Sequence, residues 1–367
     1  MGVTYHFDTF PPRPEAINLH QFGTLLGEAH SELARFDTIL STIPNPSILL
    51  TPLSQKEAEQ SSRIEGTQAT VKEALEYEAE GKGEDEAVGD VRELLNYRLA
   101  MNETVEALND LPISGRLLKR AHRTLLSGVR GEHKDPGNYR RIENRIGSPG
   151  CRKEEARFIP PPPEQVEDRM SEWERYVNSE TNSDRLIHLG VAHAEFEAIH
   201  PFLDGNGRLG RIIIPIYLYN FKVISKPVLY ISAFFETRRD EYYERLLAVS
   251  RDNDWSGWCE FFLSAVKAQA KENHEKASEI IKLHKELSEI MLEKYRSPYI
   301  GHAMEAIFKR PYFNSAQFIE ESGIPNRMTA SRILEKLVEA GIIEEGRAKS
   351  GRRPSIYLFP ELMGVVE

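Results

Sequence analysis

Apolar positions recur at intervals of three and four along most of the chain, the period of helices with one buried face. Leu186, Leu189, Ala192, Phe196 and Ile199 mark such a face within "SDRLIHLGVAHAEFEAI". Upstream, "SQKEAEQSSRIEG" opens with Ser54 and Glu57 in capping-box spacing and stops at Gly66, a residue suited to end a helix. Thr67 then caps a second helix through "QATVKEALEYEAEG". "SEWERYVNSE" and "RIIIPIYLYNF" continue the texture, with Pro215 expected to kink or interrupt the latter. From about Lys267 to Tyr295 a charged helical run keeps Ile280, Leu283, Leu287, Ile290 and Met291 on one side and reads as a connecting helix. Strand signals are few. "YRRIENRIGSPGCRKEEARFIPPPP" is either a hairpin with Ser148, Pro149 and Gly150 at its tip or an irregular linker. Beyond Pro298, three short helices and the basic, turn-rich "EEGRAKSGRRPSIYLFP" predict a winged helix-turn-helix over about 300–362.

The pattern therefore predicts a mainly α protein, and length sets how it is divided. At 367 residues the chain exceeds one ordinary core, and 40% hydrophobic with 28% charged residues describes a globular protein. No apolar run reaches the roughly 18–20 residues of a membrane span, and the start lacks a basic region followed by an apolar stretch. The expected location is the cytoplasm. Two cysteines, Cys151 and Cys259, form neither a disulfide framework nor a metal spacing and read as free thiols. The net charge of -10 argues against coating nucleic acid by overall charge and leaves room only for a local basic patch.

One stretch departs from the helical texture. In "AIHPFLDGNGRLGRIII" an apolar run stops at His200, passes an acid and two glycines, and resumes with two arginines. Gly205, Asn206 and Gly207 permit a tight turn whose N–H groups face inward. The helix beginning there leaves its first N–H groups, through Arg208 and Leu209 to about Gly210, without internal partners, which makes a phosphate cradle. Asp204 is a hard oxygen ligand suited to Mg²⁺. Arg208 and Arg211, three apart, are placed to hold two further phosphate groups. His200 is a candidate base for an attacking hydroxyl. Phe202 most simply anchors the loop, and His188 and His193 read as structural. The set suits transfer from a nucleoside triphosphate.

"HPFLDGNGRLGR" resembles the signature of the Fic domain family at every fixed position, and "GNYRR" at 137–141, "RFIPPPP" and "RRDEYYERLL" are similar to further family landmarks. The resemblance implies a Fic-fold helical bundle with a β-hairpin flap. It divides the chain into an N-terminal helical region (1–115), a Fic domain (116–266), a connecting helix (267–299) and the winged-helix domain (300–367). It implies AMPylation, the transfer of AMP from ATP to a Ser, Thr or Tyr hydroxyl of a protein, with a homodimer as the expected assembly. His200 is then the base, Asp204 holds Mg²⁺, Gly205 to Gly207 and Arg208 cradle the α- and β-phosphates, and Arg211 meets the γ-phosphate. Arg157, Phe158 and Ile159 form the flap edge on which a target adds as a strand. Tyr242 and Tyr243 fall where the family builds its adenine pocket and read either as a stacking surface or as core, and Ser250 stands where relatives often carry asparagine near the base. Another nucleotide donor therefore stays open.

"SSRIEG" at 61–66 resembles the family's inhibitory motif through Ser61, Glu65 and Gly66. A carboxylate at Glu65 meeting Arg211 would occupy the guanidinium needed by the γ-phosphate, and in some relatives the same glutamate aids removal of AMP. In the C-terminal region Arg347, Lys349, Arg352 and Arg353 give the wing a positive edge, with Arg327, Thr329, Ser331 and Arg332 early in the recognition helix. Glu335, Glu339, Glu344 and Glu345 dilute that charge, so DNA binding and protein docking both stand. A transcription-associated nucleotide sensor is the competing class, although an intact His200 favours an enzyme.

Overall fold

Helix capping and burial, rather than strand pairing, organise the chain. The structure is a computed structural model that describes residues 2–42, 47–80, 86–147, 152–180, 183–347 and 355–366. Strand β1 (Val3–Thr4) is followed by helices α1 (Leu19–Thr42), α2 (Ser47–Ile64), α3 (Val71–Glu80), α4 (Glu86–Ala107) and α5 (Gly115–Leu125). Strand β2 (Phe158–Ile159) leads into α6 (Val166–Val177), α7 (Arg185–Ile199), α8 (Asn206–Asn220), α9 (Ser232–Thr237), α10 (Arg239–Asp252) and α11 (Trp255–Tyr295). The remainder is α12 (Ile300–Lys309), β3 (Tyr312–Asn314), α13 (Ser315–Ser322), α14 (Arg327–Glu339), β4 (Glu344–Arg347), β5 (Ile356–Leu358) and α15 (Pro360–Val366).

Helices α7 and α8 are buried along nearly their whole length and form the centre of the bundle. Two indole N–H groups, Trp173 to Ala192 O at 2.8 Å and Trp258 to Gly190 O at 2.7 Å, fix α7 between α6 and α11. Around this centre α1 lies along α11, with Phe36 fully buried and Gln21–Glu260 and Lys267–Glu28 contacts at the margin. Caps mark the helix starts where the sequence offers short polar residues. Ser114 accepts from Leu117 N, Asp184 from Leu186 N, Asp254 from Gly257 N, and Asn314 forms a capping box with Gln317.

Several local expectations change in tertiary context. Helix α2 begins at Ser47, not at a Ser54–Glu57 capping box. Ser54 Oγ instead donates to Thr51 O at 2.8 Å, and the Glu57 carboxylate is buried among Tyr97 and Ser232. The cap of α3 is Thr70, which exchanges bonds with Glu73, because the Thr67 hydroxyl is spent on Glu93. Helix α8 runs through Pro215 without a break. The boundary expected at 266/267 lies inside α11, a single helix of 41 residues, and Ile290 on it is 53% exposed while Ile280, Leu283 and Met291 are buried.

Ile146 bridges Phe158 in antiparallel sense, which brings together the arms of the expected hairpin; its tip, Ser148 to Gly150, and Cys151 lie outside the described residues. The outer side of Phe158–Ile159 is not free. Strand β1 pairs with it in parallel, Val3 N donating to Arg157 O at 3.2 Å and Tyr5 N to Ile159 O at 3.0 Å. Cys259 is a buried free thiol whose pKa burial pushes up to about 12.

The C-terminal segment places α12, α13 and α14 beside a three-stranded antiparallel sheet of order β3-β5-β4. On α14 Arg327, Met328 and Arg332 are exposed, whereas Thr329 and Ser331 are half-buried. Lys349, Arg352 and Arg353 of the expected wing lie outside the described residues. This segment packs on the N-terminal helices: Asn314 Nδ2 donates to Ala79 O at 2.8 Å and Gln317 Nε2 to Glu78 O at 2.9 Å, and α12 and α15 both rest against α2. No helix among the described residues is long and apolar enough to cross a membrane.

Replacing Phe36 with alanine should destabilise the protein by about 3–5 kcal/mol, and Ile290→Ser should change stability by less than about 0.5 kcal/mol. Denaturant titration of both variants checks the contrast; equal effects would contradict the packing of α1 on α11.

Candidate active site

The chain reverses between α7 and α8, and each step of that reversal is held by a named contact. His200 ends α7 in the left-handed region, at φ 49° and ψ 60°, with its N–H donated to Phe196 O at 3.1 Å. Phe202 drops into the core and stacks on His122 at 3.9 Å. The Asn206 side-chain amide then closes the loop on itself, its oxygen accepting from Phe202 N and its nitrogen donating to Phe202 O, both at 2.8 Å. Gly205, at φ 75°, starts α8. Its N–H is taken by Asp204 Oδ1 at 2.7 Å.

The N–H groups of Asn206, Gly207 and Arg208 precede the first helical donor, Leu209 N, and form an anion nest with the positive end of the helix dipole behind it. The nest is shorter than expected. Leu209 N already donates to Gly205 O at 3.0 Å, so Leu209 belongs to the helix ladder, and Gly210 follows it with Glu197 and Phe196 against its Cα.

Two buried side chains set the backbone of this loop. Arg140 donates from Nε to His200 O at 2.9 Å and from Nη2 to Ile199 O at 3.3 Å, while its own N–H reaches Pro201 O at 2.9 Å. His122 receives the Gly137 N–H on Nδ1 at 2.8 Å, which leaves Nε2 to donate to Asp204 O at 2.8 Å. Burial lowers the His122 pKa to about 4, so this tautomer is the working one.

His200 is also neutral. Burial pushes its pKa down to about 4, although the Glu197 carbonyl 3.3 Å from Nδ1 acts in the opposite sense. With the Nδ1 proton directed at that carbonyl, Nε2 carries the lone pair. Asp204, 34% exposed, keeps one carboxylate oxygen on Gly205 and lies 3.5 Å from Arg208 Nη2.

The arginines are both buried, at 1% exposure, and both are matched by carboxylates from the N-terminal helices. Arg211 donates from Nε to Ser61 Oγ at 2.8 Å, and from Nη2 to Ser61 O at 2.8 Å and to Glu65 Oε1 at 2.7 Å. Glu65 is the first residue beyond α2, and Gly66, at φ 94°, turns the chain away behind it. Burial works against ionising Glu65, but Arg211 outweighs it and holds the carboxyl below the usual range. The carboxylate lies so close to Gly207 Cα that an added Cβ would collide with Oε1. Arg208 turns away from the cleft and donates from Nη1 to Glu93 Oε2 at 3.1 Å.

A cleft of about 840 Å³ opens over this assembly, lined by Glu65, Arg157, Phe158, Glu197, His200, Asp204, Gly205, Asn206, Gly207, Arg211, Tyr242 and Tyr243. The Tyr242 hydroxyl is fixed at 3.0 Å to His193 Nε2, whose Nδ1 reaches Gly210 O at 3.2 Å, and its ring stacks on Phe235. Tyr243 lies between Arg157 and Arg239. Ser250 does not join this wall. Its hydroxyl is 2.7 Å from His6 Nδ1, and His6 Nε2 is 2.9 Å from Glu195, so the N-terminal segment covers the serine expected beside a base. Ile159 likewise faces strand β1 rather than an open edge.

Family models match three stretches of the chain. Residues 24–106 match the Fic/DOC family N-terminal model, 112–218 the Fic/DOC family model, and 283–362 the model described as "Protein adenylyltransferase SoFic-like, C-terminal domain". The chain belongs to the Fic/DOC family. Among curated relatives, the protein adenylyltransferase Fic of Drosophila ananassae is 30% identical over 141 residues, which is 37% of this chain and 25% of that protein. The chain thus spans about a quarter of that relative. A Fic family protein from Desulfovibrio desulfuricans G20 shares the fold across 96% of this chain and 97% of its own, with TM-score 0.57 and 22% identity. A Fic domain containing signaling protein from Bacteroides thetaiotaomicron covers 68% of this chain and 97% of its own at TM-score 0.56 and 16% identity.

Within this Fic/DOC site, sequence reasoning missed Arg140, His122, Glu93 and Glu197. Arg140 lies in the stretch "GNYRR", whose likeness to the family was visible without a role; His122 sits in "LLKRAHRTL", where nothing distinguishes it. His122→Ala removes two hydrogen bonds and a stacked ring, and should cost about 2–4 kcal/mol of unfolding free energy. Chemical denaturation measures this, and a loss below about 0.5 kcal/mol would contradict its anchoring of the Asp204 loop.

Proposed function

We propose that the protein is an adenylyltransferase that moves AMP from ATP to a Ser, Thr or Tyr hydroxyl of a target protein and of itself, and that Glu65 holds it in check. The observation that carries this reading is the Glu65 carboxylate bonded to Arg211 and lying against Gly207 at the anion nest, in the cleft that His200 also lines. A carboxylate there resembles a phosphate group in charge and in its acceptor oxygens, and a triphosphate needs the same donors. The curated relatives' name, protein adenylyltransferase, points to the same chemistry.

In the proposed reaction the N–H groups of the nest and Arg208 bind the α- and β-phosphates, and Arg211, once released by Glu65, binds the γ-phosphate. Nε2 of His200 takes the proton of the acceptor hydroxyl as its oxygen bonds to the α-phosphorus, and pyrophosphate leaves with the electrons of the broken P–O bond. A phosphodiester joins target and AMP. The half-open Asp204 carboxylate beside the nest fits one ligand position of Mg²⁺; among the described residues no group of three or more His, Cys, Asp or Glu could hold a metal, so phosphate oxygens and water would complete the coordination. Such an ion supplies charge neutralisation on the phosphates. Tyr242 and Tyr243 offer the base a wall of aromatic surface. The exposed Arg327, Met328 and Arg332 of α14 support a docking role for the C-terminal winged helix, toward a protein partner, a second copy or DNA.

Incubation with α-labelled and, separately, γ-labelled ATP tests the reading. Label from the α position alone should enter protein, Glu65→Gly should raise it about 10- to 100-fold, the equivalent of a charge-assisted contact worth ~1.5–3 kcal/mol, and His200→Ala should abolish it. Label from the γ position would indicate a kinase-like reaction instead. The base must be unprotonated, so activity is full above the His200 pKa and falls as pH drops through it. With that pKa lowered to about 4, the acidic limb of kcat/KM for Glu65→Gly should lie well under the ordinary histidine value of about 6.5. A limb at or above that value would remove His200 as the base.

A further inference from the structure

Glu93, on α4, is buried at 1% exposure, yet it has no place in the reaction just described. One of its carboxylate oxygens, Oε2, receives two donors at once: the Thr67 hydroxyl at 2.6 Å and Arg208 Nη1 at 3.1 Å. The other, Oε1, lies 3.7 Å from Arg130 Nε, and Arg130 Nη2 donates to the backbone oxygen of Glu65 at 3.3 Å. Arg208 in turn reaches toward Asp204 with Nη2, and its Nε is buried without a hydrogen-bond partner among the described residues. Glu93 therefore joins the turn that follows the inhibitory glutamate to the other arginine of the phosphate site.

A buried ion pair is weak support for stability, because apolar residues of similar volume serve a core equally well. It does fix direction. The guanidinium is planar, and anchoring Nη1 on a carboxylate orients its remaining donors. Here the anchored arginine stands beside the carboxylate that faces the nest, and the anchor oxygen is shared with a residue two positions after Glu65.

We propose that Glu93 is the positioning residue for Arg208, and that the shared hydrogen bond from Thr67 couples this positioning to the inhibitory turn. This rests on the adenylyltransferase reading and deepens it. With Thr67 in place, Glu93 keeps Arg208 drawn under the nest while Glu65 occupies Arg211. Departure of the turn frees Oε2 from Thr67, and Glu93 then holds Arg208 alone, with Nη2 and Nε available to phosphate oxygens.

The test uses the full-length chain carrying Glu65→Gly as parent, with Mg²⁺ and ATP as the probe. Adding Glu93→Gln should raise both the dissociation constant for ATP, by calorimetry, and the apparent KM for ATP in self-labelling about tenfold, with the maximal rate changed by less than about threefold. Glu93→Asp, which retains the charge, should recover part of the loss. Unchanged affinity and KM, with only a lower melting temperature, would reduce Glu93 to a structural ion pair and overturn the proposal. Should Glu93→Gln not fold, Thr67→Val in the chain with Glu65 intact serves in its place. It should raise basal labelling and tighten ATP binding about threefold, and wild-type values for both would equally overturn the coupling. Failure of the adenylyltransferase reading is seen separately, as absence of α-label from the Glu65→Gly parent, while calorimetry still reports the Glu93 effect on ATP binding.

Discussion

Arg211 is a permanently charged group with almost no access to water, and it must be matched wherever the chain places it. In this molecule the match comes from α2: the Ser61 hydroxyl and backbone oxygen, and the carboxylate of Glu65. Three acceptors around one guanidinium make the contact strong and directional. Its position at the start of α8 gives it a second meaning, because the same carboxylate lies against Gly207, beside the free N–H groups of that helix. The contact that satisfies a buried charge is also the one that crowds the anion nest at Gly207.

The rest of the fold can be read as the means of holding the nest while leaving its occupant replaceable. Beneath it, Asn206, Arg140 and His122 bond to backbone atoms of the 199–204 loop, so the positions of His200 and Asp204 are set by side chains that hold the backbone behind them. Helices α7 and α8 bring those atoms together inside a core pinned by Trp173 and Trp258. Helix α2 is different. It is a neighbour of α4, α9, α12 and α15 as well as α8, and its exit turn is attached to the centre by side-chain contacts through Thr67 and Arg130 rather than by backbone pairing. Helices α12 and α15 of the C-terminal segment rest against α2, from whose exit turn Glu65 projects.

Much of the site was legible because it is contiguous. His200, Asp204, Gly205, Asn206 and Gly207 form one loop and one helix start, where local sequence dictates local backbone, and Arg211 follows one helical turn later. Ser61 and Glu65 stood out through the resemblance of "SSRIEG" to the family's inhibitory motif rather than through spacing alone, and both meet Arg211. What escaped the sequence depended on partners far away along the chain. The Ser250 hydroxyl is claimed by His6, the strand edge at Phe158–Ile159 by Val3–Thr4, and the Thr67 hydroxyl by Glu93, each in preference to the role that its neighbours suggested. Arg140 and His122 carry no local signal, since their acceptors are carbonyl oxygens that any residue provides. The length of the nest was overestimated for a simpler reason: Gly205 already serves as the helix cap, so Leu209 has an acceptor.

A crystal structure of the Glu65→Gly protein soaked with Mg²⁺ and ATP bears most directly on the shared use of Arg211 and the nest. The account predicts a triphosphate lying on the N–H groups of Asn206 to Arg208, its terminal phosphate on the Arg211 guanidinium and His200 Nε2 facing the α-phosphorus. Nucleotide bound elsewhere, or a vacant nest with the imidazole rotated into the core, would contradict it.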